Sequence, residues 1–138
     1  MSPAIGQTAE DHRLHYVQER MRFGKPLAEL PAIQPTLADM VPEVEAARLL
    51  IRRAAGNVGT GLPDPLEVSP TKCRANEMAT RVTDLAIQLH GGNGCTEEYG
   101  LERLLRDAHG RQLAGDTPTM RRVRIVSELL GRGLDQRR

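Results

Sequence analysis

Aromatic side chains are almost absent from this chain: there is no tryptophan, and Tyr16, Phe23 and Tyr99 are the only aromatics in 138 residues. That excludes base-stacking platforms for single-stranded nucleic acid. It also means that a core must be built from Leu, Ile, Val, Met and Ala, the residues of packed helices. A charge of one sign is lacking as well. Nineteen Lys and Arg face 18 Asp and Glu, a formal net charge of +1, so there is no electrostatic case for nucleic acid or an anionic membrane as partner. Two cysteines, Cys73 and Cys95, are too few for a disulfide scaffold and fit no zinc or CxxC spacing; they read as reduced thiols. No apolar run approaches the roughly 20 residues of a membrane span. The opening Met1-Ser2-Pro3-Ala4-Ile5-Gly6 has neither the basic nor the apolar region of a signal peptide. A soluble, cytoplasmic protein is expected.

What is present is ordinary globular material, 39% apolar and 27% charged, of a length that fits one domain. We read residues 1–138 as that domain, with a helical core over 8–131 and a tail over 132–138. There is no internal repeat, no useful period-two alternation and no Asn-Gly hairpin signal. The expected class is all-α, an antiparallel four-helix-bundle-like domain of about five helices with one long connection.

Helix punctuation is dense. Thr8, followed by Glu10 and Asp11, is a candidate cap for a first helix whose face carries Leu14, Val17 and Met21 and which stops at Phe23-Gly24-Lys25-Pro26. A second helix is expected near 36–55, with Leu37, Met40, Val41, Val44, Ala47 and Ile51 as its stripe and a kink at Pro42. The glycines and prolines of 56–68 read as a loop. Ser69-Pro70 is a cap-plus-proline signal for a third helix, carrying Ala75, Met78, Val82, Leu85 and Leu89 and stopping at His90-Gly91-Gly92. A fourth is expected from near Thr96 to a break at Gly110. Thr117-Pro118 repeats the signal for a fifth, which ends at Gly131.

Chemistry-bearing residues are sparse. His12 and His15 share a helix face at i, i+3, but no third ligand is apparent, so no metal site is expected. Arg20 can offer a planar, always-charged donor to a phosphate, or simply be a solvated arginine beside Phe-Gly. The stretch Gln88-Leu89-His90-Gly91-Gly92-Asn93-Gly94 can bring backbone amides close to an anion, or be a helix stop. No nucleophile motif is present.

Their order is more specific. Glu-Arg-Met-Arg-Phe-Gly-Lys-Pro-Leu (19–27), Glu-Ala-Ala-Arg-Leu-Leu (45–50), Gln-Leu-His-Gly-Gly-Asn-Gly (88–94), Glu-Tyr (98–99) and Glu-Arg-Leu-Leu-Arg-Asp-Ala (102–108) succeed one another. In this succession the chain resembles the C-terminal helical domain of the acyl-CoA dehydrogenases over about residues 8–131. The resemblance implies FAD as cofactor, Arg20 and Phe23 on its pyrophosphate and adenine side, and Gln88, Gly91 and Gly92 on the same region from a neighbouring subunit. It implies that Thr117 borders the flavin, and that the bundle assembles as a homo-oligomer (dimer or tetramer) or with a heteromeric partner, with an acyl thioester as ligand. Two departures stand out. The usual catalytic glutamate position holds Gly115, which leaves Asp116 next to it as the nearest carboxylate for a general base. The family's N-terminal and β-domains have no counterpart here. The resemblance therefore implies a subunit or fragment that is not competent alone. A flavin-free helical domain, repurposed for an acyl or polyketide-like ligand or for scaffolding, is the alternative.

Overall fold

The computed structural model describes residues 1–58 and 61–134. Five α-helices account for most of them: α1 (Ser2–Glu19), α2 (Gln34–Gly56), α3 (Pro65–His90), α4 (Leu101–Leu113) and α5 (Pro118–Leu129). Two short 3₁₀ turns, Leu27–Glu29 and Gly91–Cys95, lie in the connections.

Several boundaries differ from the sequence expectation, each for a local reason. Helix α1 begins at Ser2 with Pro3 in its first turn, so Thr8 lies inside the helix and caps nothing. Helix α3 begins at Pro65 because Asp64 caps it: its Oδ1 accepts the Leu66 N–H at 2.8 Å. The same signal at Ser69-Pro70 falls inside a helix already started. Helix α2 runs through Pro42 unbroken. The stretch before α4 forms a 3₁₀ turn and ends on Gly100, at φ +65, instead of starting a helix near Thr96. Gly110 does not break α4; the helix ends at Ala114, whose backbone is extended. The Thr117-Pro118 expectation holds: Thr117 Oγ1 accepts the Met120 N–H.

The all-α expectation holds, and one two-residue hairpin is added to it. Strand β1 (Met21–Arg22) pairs antiparallel with β2 (Lys25–Pro26), in the register Met21↔Pro26 and Arg22↔Lys25. Phe23 and Gly24, at φ +52 and +78, form the two-residue turn. Two positive φ values in succession match the twist of a tight hairpin.

Side-chain pairs give the helix directions. Ser2 meets Asn76 and Tyr16 meets His90, so α1 runs parallel to α3. Arg74 and Arg81 of α3 meet Glu43, while Glu67 meets Arg53 and Asn57, so α2 is antiparallel to α3. Asn76 reaches the Arg111 carbonyl and Thr80 meets Gln112, at the far end of α4 from the Gly91–Cys95 turn, so α4 is antiparallel too. The result is an up-down-up-down bundle of α1–α4. Helix α5 lies along α3 in the same direction, with Cys73 at Pro118 and Glu77 at Arg122.

One buried cluster joins the four: Ala9 and Val17 of α1, Met40 and Val44 of α2, Met78, Val82 and Ala86 of α3, and Leu101 of α4. Leu14, Met21 and Val41, expected inside, are 41%, 52% and 53% exposed. Helix α5 buries none of its residues.

Glu43 is the main polar tie between α2 and α3. It is buried, and its two oxygens each meet an arginine at 2.6 Å, Arg74 and Arg81. Both arginines are half exposed and can turn to water once the carboxylate is gone. Glu43→Gln should therefore lower the unfolding free energy by about 1–2 kcal/mol rather than the larger loss of a fully buried pair. Urea denaturation checks this.

Candidate functional site

The parallel run of α1 and α3 brings their C-terminal ends together. Arg20 is the C-cap of α1, and Gln88 sits in the last turn of α3 before the Gly91 C-cap. With Tyr16, Arg22 and Asn93 they line a cleft of about 220 Å³ that includes Gly91 and Gly92. Four residues singled out in the sequence, Arg20, Gln88, Gly91 and Gly92, thus meet in one cleft of one chain. Neither the Arg20 guanidinium nor the Gln88 amide has an ion-pair or hydrogen-bond partner among the described residues.

The glycines of this turn differ in why they are glycine. Gly91 has φ +60 and ψ −138, a backbone state closed to L side chains. A Cβ on Gly94 would lie 2.8 Å from the Ile87 carbonyl oxygen and 2.9 Å from its Cα. Gly92 has an ordinary φ, and a Cβ there would meet nothing within 4 Å. The fold does not require glycine at 92.

Phe23 stands at the hairpin tip, 91% exposed, close in sequence to Arg20 but outside the cleft lining. Asp116 and Thr117 lie elsewhere. They precede α5, beside Lys72 in the first half of α3. Lys72 and Gln88 are separated by about 24 Å of helix axis, so the two groups of candidate residues belong to opposite ends of the bundle. There Lys72 Nζ donates to the Ala114 and Gly115 carbonyls, and Arg121 donates to the Gly115 carbonyl and pairs with Asp116 at 3.3 Å. Burial, then the neighbouring Arg121, pulls the Lys72 pKa below its ordinary value. Gly115 and Asp116 both have positive φ, +59 and +72.

Sequence reading missed an aromatic cluster. Tyr16 stacks on His90 with ring centroids 3.9 Å apart, and Tyr99 meets both edge-on. Asn93 Nδ2 donates to both phenol oxygens, and Tyr16 donates to the His90 carbonyl. His90 is 5% exposed. Burial pushes its pKa below 6.5; a bond to the Ala86 carbonyl opposes this and nearby His12 adds to it. No group of three His, Cys, Asp or Glu is placed to hold a metal among the described residues.

Comparison with known proteins agrees with this architecture. A family model described as "Acyl-CoA dehydrogenase, C-terminal domain" matches residues 1–130. A probable acyl-CoA dehydrogenase of Bacillus subtilis is 41% identical over 130 residues, 94% of this chain and 34% of that protein. A 3-sulfinopropanoyl-CoA desulfinase of Paraburkholderia xenovorans is 40% identical, over 97% of this chain and 34% of its own length. The butyryl-CoA dehydrogenase structure from Megasphaera elsdenii superposes with a TM-score of 0.89 at 35% identity, covering 94% of this chain and 34% of that one. The chain thus spans about a third of the length of these proteins.

The geometry of this end sets two outcomes. Gly94→Ala should cost about 1–3 kcal/mol, because the new methyl meets backbone that cannot yield. Gly92→Ala should change stability by under about 0.5 kcal/mol; paired denaturation curves distinguish them. The depressed His90 pKa also makes stability depend on pH. Below 6.5 the unfolded chain takes up a proton that the folded one refuses, so stability is full above 6.5 and falls as pH drops toward the folded pKa. His90→Gln should flatten that part of the urea-midpoint profile.

Proposed function

We propose a function from one premise: the chain belongs to the acyl-CoA dehydrogenase family, through its C-terminal domain. Its role is that of a subunit or fragment. It supplies the helical oligomerisation bundle and contacts to the FAD pyrophosphate, and other domains complete the enzyme. The observation that carries this reading is the single cleft lined by Arg20, Gln88, Gly91 and Gly92.

The donor set suits a diphosphate. Arg20 is an uncommitted guanidinium, able to bond two phosphate oxygens at once. Gln88 offers an amide N–H, and Gly92 leaves backbone open to close approach. Phe23, held out at the hairpin tip, can cover an adjoining ring. FAD, when bound, supplies the acceptor for a hydride leaving an acyl thioester. This chain's own residues would hold the cofactor and keep water from its diphosphate. Because Arg20 and Thr117 mark opposite ends of the bundle, a flavin bordered by Thr117 would be a different one from that held at Arg20. That favours an assembly of copies, or of this chain with a dehydrogenase-like partner.

Proton abstraction is not assigned to this chain alone. Gly115 cannot hold a proton, and Asp116, one residue on, is engaged by Arg121. Asp116 would act as a base only after leaving that pair. A second reading draws on the same turn: a flavin-free domain that binds an acyl or polyketide-like ligand for chemistry other than dehydrogenation, or that scaffolds a complex. The relative named for desulfination shows the domain in a protein whose name is not that of a dehydrogenase, which supports keeping it.

Titration with FAD, alone and with a co-expressed dehydrogenase-like partner, separates the two. Saturable binding is expected, with Arg20→Met weakening it about 10- to 100-fold, the loss of one charged hydrogen-bonding group. A colourless protein that takes up no flavin in either setting would leave the second reading.

A further inference from the structure

We propose that the cavity between the C-terminal halves of α1 and α3 and the loop bearing Tyr99 is a ligand site of its own, taking a neutral planar heterocycle with an adjacent N–H donor and C=O acceptor. The cavity measures about 520 Å³, and its walls are Tyr16, His90, Tyr99, His12 and His15. That is the size range of small-molecule pockets. It adjoins the Arg20 cleft, with which it shares Tyr16, Arg20 and His90, and the proposal does not depend on FAD.

The walls are held firmly. Tyr16 lies nearly flat on His90, at an interplanar angle of 20°, and Tyr99 stands at 89° to Tyr16. Asn93 fixes both phenol oxygens from behind, at 3.0 and 3.4 Å. A flat ring entering the cavity therefore meets preformed aromatic surfaces rather than side chains that must first be ordered.

Hydrogen-bond accounting gives the ligand's polar edge. The Ala86 carbonyl can only accept, so His90 Nδ1, 2.8 Å away, carries the ring proton. Nε2 is then a lone-pair acceptor. The residue is 95% buried, being 5% exposed, and Nε2 has no hydrogen-bond partner among the described residues. Burial and His12 keep the imidazole neutral and the lone pair available. Tyr16 has already given its proton to the His90 carbonyl. Tyr99 accepts from Asn93, while its own proton is uncommitted. One acceptor and one donor thus sit on neighbouring rings whose centroids are 5.5 Å apart. A lactam edge is their complement. Asp11, Glu19 and Arg20 at the rim stay solvated and ask for no charge on the ligand.

The test uses the full chain without FAD. Titration with pyridone, a planar lactam, should shift the His90, Tyr16 and Tyr99 side-chain NMR signals saturably. N-methylpyridone, which has no proton to give Nε2, should bind about tenfold more weakly. Tyr99→Phe keeps the ring and should also weaken pyridone binding about tenfold, and His90→Phe should erase the difference between the two probes. The proposal is overturned if neither probe gives a saturable shift, if both bind alike to the wild type, or if FAD displaces pyridone one for one. The last result would make the cavity part of the cofactor cleft and leave the FAD reading standing. Loss of FAD binding with pyridone binding intact would do the opposite.

Discussion

The structure depends on the register between α1 and α3. Ser2 bonds Asn76 at one end and Tyr16 stacks on His90 at the other, and both pairs are 74 residues apart in sequence. Both contacts share one offset, so a single register aligns the two parallel helices from end to end. Gly6 explains how they come so close. A Cβ at that position would lie 2.8 Å from Met78 Sδ, so the absence of a side chain there lets the methionine of α3 lie against the α1 backbone. Small residues deeper in the seam, Ala9 on α1 and Ala79 and Ala86 on α3, are fully buried. Close packing of this kind has few alternative solutions, and the placement of side chains at the helix ends inherits its precision.

At the C-terminal end, that register decides which groups are free. Arg20 leaves α1 just where α3 turns into Gly91, so the guanidinium, the Gln88 amide and the glycine backbone share a cleft instead of facing separate patches of solvent. The same convergence puts Tyr16 between the cleft and the neighbouring cavity, with its hydroxyl committed to His90 and Asn93. One aromatic ring thus serves as the wall of two compartments of different character. Arg20 borders both; the cleft adds the Gln88 amide, and the cavity adds a second phenol ring, Tyr99. In a chain with only three aromatic residues, two of them, Tyr16 and Tyr99, line this cavity.

The legible parts of the sequence were those set by local chemistry. Thr117-Pro118 starts α5 as its cap chemistry dictates, and the stripes of Met40, Val44 and Ala47 and of Met78 and Val82 point inward as their spacing requires. The resemblance pointed to Arg20, Gln88, Gly91 and Gly92 but set the last three on a neighbouring subunit, whereas in the structure all four line one cleft of one chain. Competition between equivalent signals was not legible. Asp64-Pro65 and Ser69-Pro70 carry the same instruction, and the upstream one wins: Asp64 caps the helix, which then runs on through Pro70. The hairpin at 21–26 was invisible to periodicity because strands of two residues have no period. The Tyr16–His90–Tyr99 cluster has no local signature at all, since its members come from three elements and only the α1–α3 register assembles them.

The turn at 114–117 shows what a carboxylate at position 115 would meet. Gly115 and Asp116 are both in the left-handed region, a conformation in which an added side chain carries a cost of roughly 1–2 kcal/mol. A Cβ on Gly115 would point at Lys72 Nζ, 3.3 Å away. That ammonium and the Arg121 guanidinium already grip the turn through its carbonyls. A glutamate placed there would meet two cations at once. It would become a partner in their network, with its proton affinity lowered by opposite charge, rather than a base free to act on a substrate. Lys72 and Arg121 make this corner a cation-held joint between α3 and α5.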